Sequence, residues 1–215
     1  MRFIEVLCEG SSDVPAIKEI LTRRFKLNEG EHFRIHPHRG KGKLPAPDRQ
    51  LNKPARGDDA LLPQLPIKLK NMGRQTQGGF EVAVVVVVDA DDDDCRTLKQ
   101  SLLDLYAALP TKPPRCLFRV AVEETESWFI ADPAAVRKAY GKASVGDLEQ
   151  HEPDAVCGAW ERLAECLGHE PMACRGREKT EWATAISPYL DLESPKSPSF
   201  AALISGLAHI LRGAV

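Results

Sequence analysis

Apolar positions come first as a run, "RFIEVLC" at residues 2–8, which reads as a short buried strand closed by Glu9-Gly10. Beyond it Ile17, Ile20, Leu21 and Phe25 keep helical spacing on one face. Ser11 or Ser12 can cap that helix, and Asp13 and Pro15 suit its first turn. "HFRIHPH" (32–38) alternates and predicts a second strand, which Pro37 places near a sheet edge. Residues 39–57, rich in Gly, Pro and basic side chains, read as a long loop, followed by a helix broken by Pro63 and Pro66 and running to about Gln75.

The strongest pattern is Val82 to Val88, apolar at every position. A half-exposed strand alternates, so this run predicts a central strand covered on both faces, as in a parallel sheet. Leu98, Leu102, Leu105 and Leu109 then mark the buried face of a helix over about 95–109, and "CLFRVAV" (116–122) is another buried strand. After Asp132-Pro133, a cap followed by a first-turn proline, the pattern predicts helices at about 133–140, 154–167, 179–187 and 199–212. Strands alternating with helices and then helices alone predict an α/β fold. Its mostly parallel sheet, flanked by helices, occupies 1–132, and a helical C-terminal extension occupies 133–215.

Composition adds bounds. With 215 residues, 28% of them charged and 43% hydrophobic, the chain is globular, and its net charge of −2 gives no global sign of nucleic acid or membrane. "MRFIEVLCEG" carries acids where a signal peptide would be apolar, and no run approaches the roughly 18 residues that span a bilayer. The six cysteines form no CxxC pair, which suits a cytoplasmic location, and Cys157, Cys166, His169 and Cys174 match no zinc-ligand spacing. Charge distribution is more informative. Arg39, Lys41, Lys43, Arg49, Lys53 and Arg56 face only Asp48, a local excess of +5 whose glycines and prolines suit close approach to phosphates. A solvated, mobile loop is the plainer reading of the same residues.

Carboxylates then follow the apolar runs. Ligands of parallel sheets bind at the carboxyl ends of the strands. Glu9 follows the first strand, Asp89 and Asp91 the valines, and Glu123, Glu124 and Glu126 the run ending in "RVAV". Clustered carboxylates stay ionised only around positive charge, and oxygen-only ligands select a hard cation, Mg2+ or Mn2+. Asp92 and Asp94 read instead as a solvated turn and a helix cap. A calcium loop of EF-hand type fails, because Asp94 and Gln100 stand where glycine and glutamate are required.

"LCEGSSDVPAI", followed far downstream by "VVVVVDADDDD", resembles the Toprim domain, and the Glu-Gly-x-x-Asp spacing resembles its version in OLD (overcoming-lysogenization-defect) nucleases. "VEETESWFIADP" and "GREKTEWA" are similar to an uncharacterised bacterial Toprim-like family often encoded beside an SMC/ABC-type ATPase. The resemblance implies metal-dependent phosphodiester hydrolysis of nucleic acid, DNA ahead of RNA, in phage defence or DNA repair, with such an ATPase as partner and a homodimer left open. It implies Glu9 as general acid or base beside the metal, Asp13, Asp89 and Asp91 as ligands, and Glu124 or Glu126 completing a second ion site. It also implies a lysine near the metals, for which Lys179 is the candidate, against the plain reading of an exposed first-turn residue. Two other functions stay open: a nucleotide-sugar glycosyltransferase using Asp89 and Asp91 as its Asp-x-Asp, and a non-catalytic module binding the ATPase.

Overall fold

The valine run forms β3 (Val82–Asp89), flanked by β1 (Phe3–Cys8) and β4 (Arg115–Ala121), with β2 (Phe33–Pro37) beyond β1. A computed structural model describes residues 3–46, 57–79, 81–149, 152–154, 158–174 and 176–212 of the chain. Among these residues the sheet has the order β2-β1-β3-β4 and every pairing is parallel, with Val85 level with Val6 on one side and Leu117 on the other. The structure thus has the α/β class that the pattern predicts, with a sheet that is parallel throughout among the described residues where a mostly parallel one is expected. Pro37 ends an edge strand, where no neighbour needs its missing N–H.

β3 is apolar throughout because it serves two cores. Ala83, Val85 and Val87 enter one buried cluster, while Val82, Val84, Val86 and Val88 enter the other. The second cluster is closed by α2 (Leu61–Gln77) and α3 (Cys95–Ala108), through Leu61, Leu65 and Leu69 and through Leu98, Leu102 and Leu105. The first is closed by α1 (Asp13–Glu19), which runs on into a π-helical turn at Ile20–Arg24, and by the helices after β4. These are α4 (Glu126–Ile130), α5 (Pro133–Ala139), α6 (Gly146–Glu149), α7 (Ala159–Cys166), α8 (Gly176–Ile186) and α9 (Pro198–Arg212). Phe129, Trp182 and Leu203 share this cluster with Ile4 and Val85, so one core crosses residue 132 without a break.

Three local readings differ from the structure. α2 is continuous: Pro63 lies in its first turn and Pro66 inside it. An interior proline costs about 3 kcal/mol, whereas each fully buried leucine returns about 1.5–3 kcal/mol, and Leu61, Leu65 and Leu69 are all buried. Neither serine hydroxyl caps α1. The Asp13 carboxylate instead accepts a 2.9 Å bond from the Gly10 amide. α7 begins at Ala159, where Gly158, at φ 88, turns the chain into the helix and the Glu123 carboxylate accepts from the amides of Gly158 and Ala159.

The start of the basic loop is stitched in place. His38 and Gly40 donate their amides to the carbonyls of Cys8 and Glu9 at 3.1 and 2.9 Å, and those of Leu61 and Leu62 bond the carbonyls of Gly40 and Lys41 at 2.9 and 2.8 Å. Gly42, at φ 67, lies so near α2 that a Cβ would stand 2.7 Å from both Ala60 Cβ and Pro63 Cδ. Its glycine therefore serves close approach to a helix. Gly42→Ala is expected to lower stability by about 1–3 kcal/mol, seen as a lower urea midpoint at unchanged slope. An unmoved midpoint would mean that the loop yields freely.

Candidate metal centre

β1, β3 and β4 end on one edge of the sheet, and the acids after them meet there. Glu9, just past β1, accepts the Asp89 amide through Oε1 at 2.7 Å and so links two strand ends. Asp13 opens α1 and is 2% exposed; besides Gly10 it accepts the Thr125 hydroxyl at 2.9 Å, linking α1 to the turn after β4. Glu126, also 2% exposed, begins α4. On α8, Lys179 donates to Glu124 Oε1 at 3.0 Å, stands 3.8 Å from Glu126 Oε1 and lies over the Trp160 ring, 5.1 Å from its centroid. It is therefore a half-buried lysine set among acids, unlike a solvated first-turn residue.

Too little positive charge stands here for so many carboxylates. Burial pushes Glu9 up to about 8: the Asp89 amide opposes the shift, Asp13 and Asp91 add to it, and Lys41 relieves it. Burial likewise pushes Glu126 up to about 7, against the pull of Lys179 and with Glu124 and Asp13 adding. Asp89 rises well above the usual carboxylate range through burial and then through Asp13, Glu9, Glu126 and Glu124. Asp13 and Glu124 are raised by burial too, with hydrogen bonds and Lys179 opposing. Burial alone would lower Lys179, but Glu126, Glu124 and Asp89 outweigh it and hold the ammonium charged. Beneath them the Cys8 thiol is pushed up by burial and by Asp13, Asp89 and Glu9, which makes it a poor nucleophile.

Buried polar atoms almost always find partners. Here Asp89 Oδ1, Glu124 Oε2, Glu126 Oε1 and Glu161 Oε2 are buried without a hydrogen bond. Orphaned carboxylate oxygens fit a hard divalent cation in donor type. They do not yet fit it in arrangement: among the described residues no three His, Cys, Asp or Glu side chains converge to hold an ion. Glu9, Asp13 and Glu124 spend oxygens on the Asp89 amide, on Gly10 with Thr125, and on Lys179, so coordination requires some of them to turn.

Other candidate residues go elsewhere. Asp91, at φ 48, aims its carboxylate at Lys41 Nζ, 2.7 Å away, and parts company with Asp89. Lys41, read from sequence as a phosphate contact, is enclosed instead by Asp91, Asp93 and two carbonyls, because the stitched loop carries it into the turn after β3. Arg39 is 3.7 Å from Asp59, and Lys43 is exposed. Arg49, Lys53 and Arg56 lie outside the described residues, as does Cys157. Asp94 caps α3, accepting the Thr97 amide at 2.8 Å. His36 pairs with Glu5 at 2.5 Å and His38 with the Cys8 carbonyl at 2.8 Å. Cys166 joins the core, and His169 lies against the Trp182 ring with centroids 5.4 Å apart.

Sequence reasoning missed Thr125, Trp160 and Glu161. Thr125 is a polar residue between two candidate acids, a signal that was available. Glu161 and Trp160 arrive on α7, far along the chain, and carried none.

Among the described residues no helix is long and apolar enough to cross a membrane. No curated protein matches the chain. The solved C-terminal region of the Burkholderia pseudomallei OLD protein is similar at 12% identity and a TM-score of 0.45, over 96% of this chain and 97% of that one. The model of the family described as "Domain of unknown function (DUF4276)" matches residues 8–208, and the chain belongs to that family.

Proposed function

We propose that the protein hydrolyses phosphodiester bonds of nucleic acid, DNA ahead of RNA, with Mg2+ or Mn2+. The observation that carries this reading is the set of buried carboxylate oxygens without hydrogen bonds beside Lys179 at the carboxyl edge of a parallel sheet. Glu9, Asp13, Asp89, Glu124 and Glu126 would hold the cation, which supplies Lewis acidity and an activated water. Glu9, with a proton affinity near neutrality, suits general acid or base work. Lys179, kept charged by its neighbours, would face a phosphoryl oxygen and stabilise its developing charge. Thr125 fixes Asp13, and the Trp160 ring shields the ammonium from water. Cytoplasmic work beside an SMC/ABC-type ATPase, in phage defence or DNA repair, belongs to the same reading and rests on the resemblance of the motifs.

The parting of Asp89 and Asp91 disfavours the glycosyltransferase alternative, which needs both on one ion. That Glu9, Asp13 and Glu124 spend oxygens on protein donors favours the other alternative, a non-catalytic module. Purified protein, alone and with its ATPase, is therefore to be incubated with plasmid, single-stranded DNA and RNA in Mg2+ or Mn2+. Nicking or degradation is the expected result, and inertness under every condition would put the module first. Lys43→Ala is expected to weaken nucleic-acid binding and lower its salt dependence by a slope of about 0.9, the mark of one lost phosphate contact. An unchanged slope would remove Lys43 from the interface.

A further inference from the structure

Lys41 reaches into the turn after β3, where its ammonium meets four oxygens. Asp91 Oδ2 is 2.7 Å away, Asp93 Oδ2 2.9 Å, the Ala90 carbonyl 2.8 Å and the Asp89 carbonyl 3.2 Å. An ammonium has three protons to give, so four acceptors saturate it. The side chain is 12% exposed, far from the behaviour of a surface lysine. Two carboxylates and two carbonyls around one point form the donor set that a hard metal ion takes.

The surroundings hold this arrangement from several sides. The Lys41 backbone lies between Gly40, bonded to the Glu9 carbonyl, and Leu62, whose amide bonds the Lys41 carbonyl. Across the turn, the amides of Ala90 and Asp91 bond the carbonyls of Ala121 and Glu123 at 2.9 and 2.8 Å. One side chain thus fastens the loop from β2 to the turn after β3, and that turn is bonded to the end of β4. Asp89 is gripped by its carbonyl on the Lys41 side, while its carboxylate joins Glu9 and Asp13 in the buried cluster.

We infer that Lys41 is a tethered cation, filling the position offered by Asp91, Asp93 and the carbonyls of Asp89 and Ala90, so that the centre takes one divalent ion, among Glu9, Asp13, Asp89, Glu124 and Glu126, instead of two. The inference rests on the metal reading above and departs from the resemblance, which implies Asp91 as a ligand and a second ion site completed by Glu124 or Glu126, the two acids beside which the Lys179 ammonium stands. Lys41 is accordingly a positioning residue, setting where Asp89 stands and how many ions enter.

Two measurements test it. Calorimetric titration with Mn2+ is expected to count one ion in the wild type and in Lys41→Arg, which keeps the charge, and a second, weaker ion in Lys41→Met. Hydrogen exchange without divalent ions is expected to show the Asp91 and Asp93 amides losing protection in Lys41→Met, with Mn2+ restoring it. Two ions in the wild type would overturn the inference and leave the metal reading intact, and need no variant that might fold poorly. A single ion in a folded Lys41→Met, with unchanged exchange, would also overturn it. No ion in the wild type would overturn the metal reading and the ion count together. The tether would then stand or fall on the exchange data alone.

Discussion

Asp89→Asn is expected to lower hydrolysis by about a thousandfold and to remove the stabilisation that Mg2+ or Mn2+ gives the wild type. The substitution keeps the shape of the side chain and deletes the charge at the most crowded point, between Glu9, Asp13, Glu126 and Glu124. Metal assistance is worth several kcal/mol in the transition state, and about 1.4 kcal/mol is a factor of ten in rate. A cation at a hundredfold excess over its dissociation constant stabilises the native state by about 2.7 kcal/mol. For a chain of this size that is a rise of about 5–10 °C in melting temperature. Without metal, the amide is neutral where a carboxylate is costly to bury, so the variant should melt no lower than the wild type. Melting in chelator and in millimolar Mg2+, with single-turnover cleavage on the same preparations, reads all three effects. An undiminished metal response would move the site elsewhere, and undiminished cleavage would expose a contaminating nuclease.

Without divalent ions, stability is expected to fall steeply from about pH 5 to about pH 8. Glu9 goes from an ordinary 4.5 to about 8 on folding, and Glu126 from 4.5 to about 7. Between the two values the folded protein keeps a proton that the unfolded chain has released. The stability this confers is complete below the ordinary value, declines as pH rises, and is gone above the raised one. Within its window each group costs about 1.4 kcal/mol per pH unit, though interacting acids share protons and the two effects do not simply add. A bound cation displaces those protons, so the rise in melting temperature with Mg2+ should be larger at about pH 8 than at about pH 6. Urea midpoints across the range, in chelator and in Mg2+, test this. A flat or rising metal-free profile would mean that Lys179 and Lys41 already keep the acids ionised.

The parts of the fold legible in the sequence were those written in periodicity. β3 announces its two cores by being apolar at every position, Pro37 marks an edge, and the leucines of α3 trace one stripe. Strand-end reasoning placed Glu9, Asp89 and Glu124 on one edge because all the strands run parallel. Contacts made across long stretches of chain were not legible. A sequence displays the charge of Lys41 but not the turn 48 residues on that encloses it, so a buried tether read as an exposed base. Asp91 looks like the twin of Asp89 until a positive φ turns it away. Pro66 reads as a break because its local cost is visible and the leucines that outweigh it act through tertiary burial.

The valine strand has one more consequence, for the chain before it folds. Seven consecutive apolar residues, rich in β-branched side chains and free of proline, have the composition of a segment that stacks with copies of itself when exposed. In the native sheet β1 and β4 occupy both its edges, but a nascent or unfolded chain has no such cover. Asp89, Asp91, Asp92, Asp93 and Asp94 follow at once, and in-register stacking would pile their charges at the strand repeat of about 4.8 Å. They would thereby act as gatekeepers against aggregation. Asp92, exposed and outside the buried carboxylate cluster, would share in that work.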